Sequence, residues 1–330
     1  MQRPLSLLLA FLAAPLLASA QTRSPETLRL DAIIPLRDVA GRIDHLALDL
    51  QGQRLFIAAL GNNSLVVLDL KTGQRLRTIT DLPDPQGVAF VPSTNRLFVA
   101  NGHDGSVRQF DASTWRLLQI LPLGDDADNL RFDPTDNHVF VGHGQGSLSE
   151  LNPHGATVAS VPLGAHPESF QLERTGPRIF VNVPALHTVA VIDRISHTVI
   201  ASWPLGELQA NFPMALDDDD HRLFIVTRQP ARMVVFDTDT GRQILTLPSV
   251  EDCDDIFYDQ RHHRLYAIGG EGAIAVIAQH DPDHYEEVER LKTAPGARTG
   301  LFSPELNRLF VAVRRHGSEP AEIRVYRVPR

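Results

Sequence analysis

One four-residue phrase recurs seven times and constrains the fold more tightly than any other feature of the chain. The copies are Arg54-Leu55-Phe56-Ile57, Arg96-Leu97-Phe98-Val99, His138-Val139-Phe140-Val141, Arg178-Ile179-Phe180-Val181, Arg222-Leu223-Phe224-Ile225, Arg264-Leu265-Tyr266-Ala267 and Arg308-Leu309-Phe310-Val311. Successive copies start 42, 42, 40, 44, 42 and 44 residues apart. Self-similarity at about 40–45 residues, with several short strands per unit, marks a β-propeller in which each unit is one four-stranded blade. Blades bury their apolar faces only against each other. The 330 residues therefore make one closed domain, not the two that length alone suggests.

The second unit shows the order within a blade. Residues 87–90 read as strand A, 96–100 as strand B, 106–110 as strand C and 117–123 as strand D, separated by Gly, Pro, Asn and Asp clusters. The last unit stops after its third strand, residues 322–328. Residues 28–36, which precede the first strand A, are predicted to supply the missing strand D. Closing the ring this way removes an exposed sheet edge. The fold class is all-β, a seven-bladed propeller.

Residues 1–20 read as a signal peptide: Arg3 begins it, residues 7–17 are apolar, and Ala18-Ser19-Ala20 is a small-residue cleavage site. Cleavage after Ala20 leaves a mature domain of residues 21–330, expected to be periplasmic or secreted. No other stretch approaches the ~20 apolar residues of a membrane span. Cys253 stands alone, which excludes an internal disulfide. The formal net charge is −9, and loss of Arg3 takes it to −10. Nucleic-acid binding draws its affinity from Lys and Arg on phosphates, so this balance argues against it. A monomer is expected.

Propeller geometry converts this layout into a functional map. Strands A to D alternate in direction, so D–A linkers and B–C turns share one face while A–B and C–D turns share the other. Strand A lines the axis, and each D–A linker delivers side chains to the channel mouth. Counting ten residues back from each phrase gives Asp44, Gln86, Asp128, Glu168, Phe212, Asp254 and Arg298. Their successors are His45, Gly87, Asn129, Ser169, Pro213, Asp255 and Thr299.

Asp and Asn at strand starts can simply bind local backbone amides. A converging acidic ring instead needs compensation, since like charges close together are costly. Arg42 or Arg298, a cationic ligand or a divalent cation would each serve. Oxygen ligands from Asp44, Asp128, Glu168 and Asp254 suit Ca²⁺ or Mg²⁺, and histidine admits Zn²⁺ or Mn²⁺. Scattered over the whole chain, these residues have no diagnostic ligand spacing.

The B–C turns add Asn62, Asn63, Asn101, His103, His143, Asn182, His187, Arg228, Arg314 and His316. Such a face is either ordinary loop composition or a polar small-molecule or anion site. Two linkers stand out, His166-Pro167-Glu168-Ser169 and Asn211-Phe212-Pro213-Met214, because bulky and charged groups replace simple turn residues. Cys253 lies among carboxylates that raise a thiol pKa, so it reads as a small buried residue or, with a nearby histidine, a copper ligand. The acidic run Asp217 to Asp220 falls in an A–B turn and reads as a solvated hairpin. The chain has no C-x-x-C-H, P-loop, G-x-S-x-G or H-E-x-x-H motif, so any chemistry must come from distant linkers converging.

Phe98-Val99-Ala100-Asn101 and Phe180-Val181-Asn182 resemble the Y-V-T-N phrase of the YVTN repeat family. Val191-Ile192-Asp193, Thr198-Val199-Ile200 and Pro204-Leu205-Gly206 resemble that family's C and D strands, and the likeness runs through all seven units. It implies an exported, YncE-like, seven-bladed propeller, a type with which single-stranded DNA binding is associated. This chain differs in its acidic balance and in having only Trp115 and Trp203, both near D strands rather than at the mouth. In architecture alone, the mouth is similar to streptogramin lyase and lactonase-type propellers. Those place His, Glu, Asn and a divalent metal at the channel mouth.

The leading expectation is a module that binds a small molecule or a periplasmic protein at the channel mouth. The alternative is a metal-dependent hydrolase or lyase acting on a lactone or ester, with His45, Glu168 and Arg298 as catalytic candidates. A third is an accessory scaffold for a periplasmic redox system.

Overall fold

The computed structural model describes residues 27–144 and 146–329. The export-signal reading of residues 1–20 lies outside them. The described chain forms seven four-stranded antiparallel sheets. Six are sequential: in blade 1, Leu46–Asp49, Arg54–Ala59, Ser64–Asp69 and Arg75–Ile79 are strands A to D. The seventh contains Gly300–Ser303, Arg308–Val313 and Ala321–Arg327, and its fourth strand is Arg29–Leu36. That N-terminal strand pairs antiparallel with Ala321–Arg327, Leu36 opposite Ala321, and closes the ring as expected. Among the described residues no helix is long and apolar enough to cross a membrane.

The repeated phrase is the core. Its third residue is buried in every blade, from Phe56, Phe98, Phe180, Phe224 and Tyr266 at 0% exposure to Phe140 and Phe310 at 3%. These rings pack between blades, as where Phe56, Leu65 and Val67 of blade 1 meet Val88, Phe90 and Leu97 of blade 2. The leading arginine serves the opposite rim. Arg54 reaches Asp49 at 2.6 Å and lies 5.5 Å from the Phe56 ring centroid, and Arg178 repeats this with Glu173 at 2.5 Å and Phe180 at 5.3 Å. Arginine is suited to the role because its planar guanidinium stacks on a ring while forking onto a carboxylate.

Two expectations are refined here. Asp217 to Asp220 does lie in an A–B turn, yet Asp217 is only 1% exposed and accepts a hydrogen bond from Gln279 Nε2 at 3.1 Å. Arg174 pairs with Asp218 and Asp219 from the neighbouring blade, so the run ties blades together more than it solvates a hairpin. Cys253 is fully buried, and burial together with Asp254 and Asp255 pushes its thiol pKa well up.

A charged floor at the channel mouth

Bulges aim the mouth residues. Ala58 accepts from the Asp44 amide and donates to the His45 carbonyl, so two residues oppose one. Gly142 faces Asp128 and Asn129 in the same way, and Asn182 faces Glu168 and Ser169. The ladder also shifts register between Pro85 and Val88, Asn211 and Met214, and Cys253 and Asp255. A bulge bends the strand and re-aims its side chains, which brings two adjacent residues per blade to the mouth. Gly87 is required where blades 2 and 3 touch, because a Cβ there would lie 2.0 Å from the Asp128 carbonyl oxygen.

The charges compensate one another. Asp254 is gripped by Arg228 Nη2 at 2.5 Å and Arg298 Nε at 2.9 Å, with Arg42 Nη2 at 3.8 Å. Arg42 also pairs with Asp44 at 2.9 Å, and Arg298 with Asp252 at 2.9 Å. Arg228 stacks 4.1 Å from the Phe212 ring centroid. His45 lies 3.9 Å from Asp44 and 3.8 Å from Asp255, whose Oδ2 also accepts the Gly300 amide at 2.8 Å. His166 lies 3.8 Å from Asp126 and 4.0 Å from Asp128.

Burial and neighbouring charge set the protonation states. Burial opposes charge on His45, yet Asp255, Asp44 and Asp128 outweigh it and hold the imidazole up at about 10. For His166, burial is outweighed by Asp128, the Gly144 carbonyl and Asp126, which raise it to about 9. Burial pushes Asp44 up to about 6 against the pull of His45 and Arg42. Glu168 goes well above its ordinary range through burial and the Asp128 charge. Asp128 is held below its usual value because His166, His45 and Arg42 overcome its burial. Both imidazoles are therefore cationic at neutral pH, and with the guanidiniums they neutralise the acidic ring.

The floor sits above a channel cavity of about 350 Å³. Polar groups of His45, Arg131, Gln171 and Asp255 line it together with apolar Leu48, Phe90, Phe132, Phe257 and Phe302. A separate notch of about 80 Å³ opens beside Arg42, Arg298 and Arg314, with Asp252 at its edge. Gly296, at φ +78°, makes room for it, since a Cβ there would fall 2.1 Å from Arg314 Nε.

The candidate residues separate into two groups. Arg42, Asp44, His45, Asp128, His166, Glu168, Arg228, Asp254, Asp255 and Arg298 come together as described. Asn129 is buried beside Asp128, and Gln86 donates to Asp126 Oδ1 at 2.9 Å. Asn182 and Asn211 instead stitch blade 4 to blade 5: Asn182 Nδ2 donates to the Phe212 and Pro213 carbonyls, and Asn211 Nδ2 to Asn182 Oδ1 at 2.9 Å. Asn101 Nδ2 donates to the Ser106 carbonyl at 3.1 Å within its own turn. His143 is buried against Ser149 Oγ at 2.7 Å, while the His103 side chain is 76% exposed.

Of the metal candidates, Asp128 and Glu168 fall in one cluster with His166, their ligand atoms all within 4.8 Å of one another. Asp44 and Asp254 face Arg42 instead. Sequence counting missed Asp126, Arg131 and Asp252. Arg131 had a visible signal, since it is the one charged residue among equivalent strand A positions Ala47, Ala89, Arg131, Gln171, Ala215, Phe257 and Leu301.

No protein-family model and no curated protein matches this chain. Among solved structures, a chain of Kuenenia stuttgartiensis hydrazine synthase is similar, with a TM-score of 0.74 at 16% identity over 83% of this chain and 93% of that one. At that identity the likeness speaks for the propeller fold alone.

Proposed function

We propose that the chain is an exported, YVTN/YncE-like propeller, periplasmic or secreted, whose channel mouth binds a small anionic ligand. The observation that carries this reading is the notch beside Arg42, Arg298 and Arg314. Arg42 and Arg298 are already oriented by Asp44, Asp252 and Asp254, so a carboxylate or phosphate meets guanidiniums fixed before it arrives. The surrounding charges are paired, which leaves a polar floor that needs little reorganisation. Recognition is favoured over catalysis because His45 and His166 hold their protons at neutral pH, so neither is a free general base.

Thermal unfolding of the mature protein with a panel of small carboxylates, phosphates and neutral polar solutes tests this. Binding only the native state raises stability, by about 2.7 kcal/mol at a hundredfold excess over Kd. Anions are expected to stabilise the wild type without being turned over, and Arg314→Ala is expected to remove the effect. Stabilisation by neutral solutes alone, or no loss in the variant, contradicts the reading.

The Asp128, His166 and Glu168 cluster favours a second reading, a metal-dependent hydrolase or lyase of lactones or esters. A cation there must displace the His166 proton. Elemental analysis of protein purified without chelator, compared with Asp128→Ala, decides between the two. Near-stoichiometric Ca, Mg, Mn or Zn lost in the variant would promote the enzyme.

A further inference from the structure

The repeat breaks at three places that meet on the face opposite the mouth, two of them in blade 3 and one in blade 4. The phrase begins with arginine in six blades and with His138 in blade 3. On strand C, the residue paired with the buried aromatic is Val67, Gln109, Val191, Val235, Val276 or Val325 elsewhere, but Phe140 faces Glu150. Glu150 is only 7% exposed, so a carboxylate occupies a position that is otherwise mostly a valine's. The third departure comes from blade 4. Four residues beyond the aspartate that opens the C–D turn, other blades carry Gly73, Trp115 or Gly241, whereas blade 4 carries His197, at φ 53°.

These groups converge tightly. His138 Nδ1 lies 2.5 Å from Glu150 Oε1 and 3.5 Å from Asp136 Oδ2. The ligand atoms of Asp136, His138 and Glu150 all fall within 4.8 Å of one another. Asp136 is held in place because its Oδ1 accepts the His138 amide at 2.9 Å. His197 Nε2 sits 2.8 Å from Glu150 Oε2, the oxygen facing away from His138. Among the described residues, no guanidinium or ammonium pairs with either carboxylate, unlike the arginine-compensated carboxylates of the other blades.

We propose that Asp136 Oδ2, His138 Nδ1 and Glu150 Oε1 bind a divalent transition cation of the Zn²⁺ class, with His197 orienting the remaining Glu150 oxygen. One imidazole and two carboxylates are an accepted donor set for such a cation, and the two negative charges match its charge. A histidine on the ligating carboxylate is the outer-shell support that such sites use. Tetrahedral ligation at about 2.0–2.1 Å separates ligand atoms by roughly 3.3 Å. Binding therefore requires His138 and Glu150 to move slightly apart and any wider pair in the cluster, whose atoms lie within 4.8 Å of one another, to draw in. The Asp136 side chain is 41% exposed, which leaves an approach from solvent and room for a water as fourth ligand. Because His197 belongs to the next blade, the cation would brace the seam between blades 3 and 4.

The test uses the untagged mature protein, stripped with chelator and titrated with Zn²⁺ against a chromophoric competitor, then with Co²⁺ as a visible-absorption probe. His138→Arg restores the residue that six blades carry and is expected to fold. Glu150→Gln and the exposed control Glu207→Gln, outside both candidate clusters, complete the set. One equivalent is expected to bind at least tenfold more weakly in His138→Arg and Glu150→Gln and unchanged in Glu207→Gln. The Co²⁺ bands should follow the same pattern. If Glu150→Gln fails to fold, Asp136→Asn takes its place. No bound equivalent in the wild type, or none weakened in His138→Arg, would overturn the proposal. The cluster would then be an imidazole–carboxylate ion pair alone.

Discussion

The two ends of the blades solve the same electrostatic problem differently. At the A–B rim, an arginine over a buried ring meets a carboxylate, as in Arg54 with Asp49 and Arg178 with Glu173, and blades repeat the arrangement. At the mouth the equivalent positions change character from blade to blade, and one connected network runs from Asp44 through Arg42 and Asp254 to Arg298 and Asp252. Repetition serves packing between blades, which every seam needs equally. Departure from the repeat is where something other than packing selects the residue.

If the mouth is one network, a single deletion there must cost more than a rim deletion. Asp254→Ala leaves Arg228 and Arg298 with Asp252 as their one shared carboxylate, and Arg42 with Asp44. Breaking a buried pair from one side typically costs about 3–5 kcal/mol when the other charge is left alone. Chemical denaturation of the variant should show a loss near the lower end of that range, because each guanidinium keeps one partner.

The second comparison uses pH. His45 has a folded pKa near 10 against an ordinary 6.5, so its contribution is fully present below 6.5 and is lost as pH rises toward 10. The stability gap between wild type and His45→Asn should narrow over that window by on the order of 4 kcal/mol. A gap constant from pH 6.5 to 10 would mean that His45 is not held as an imidazolium.

Asp49→Asn at the rim should cost less, about 1–2 kcal/mol, because Arg54 keeps its contacts with the Ala112 carbonyl and the Phe56, Phe90 and Trp115 rings. A loss equal to that of Asp254→Ala would dissolve the contrast between the two ends. The smallest effect expected is at Cys253, whose buried, high-pKa thiol should resist alkylation in the native protein and react on unfolding.

Blade count, strand order and ring closure were legible in the sequence because interblade packing demands the same aromatic at the same place in every repeat. The ten-residue count also located the mouth. It could not show the bulges that bring Asp44 with His45, or Asp254 with Asp255, into one site, since a bulge leaves no signature in residue type. Nor could type alone separate Asn182 and Asn211, whose amides are consumed in joining two blades, from residues that face a ligand. Asp252 escaped because it lies two positions ahead of the counted one. His138 was visible throughout as the one phrase without arginine, but its partners Glu150 and His197 are brought to it only by the sheet register and the next blade.

The central claim is that the arginine notch at the mouth receives an anion. A crystal structure grown with the small carboxylate or phosphate that most raises the Tm tests it most directly. The expected result is the anionic group within hydrogen-bond distance of Arg42, Arg298 and Arg314. Ligand density elsewhere on the ring, with the notch holding only solvent, would contradict it.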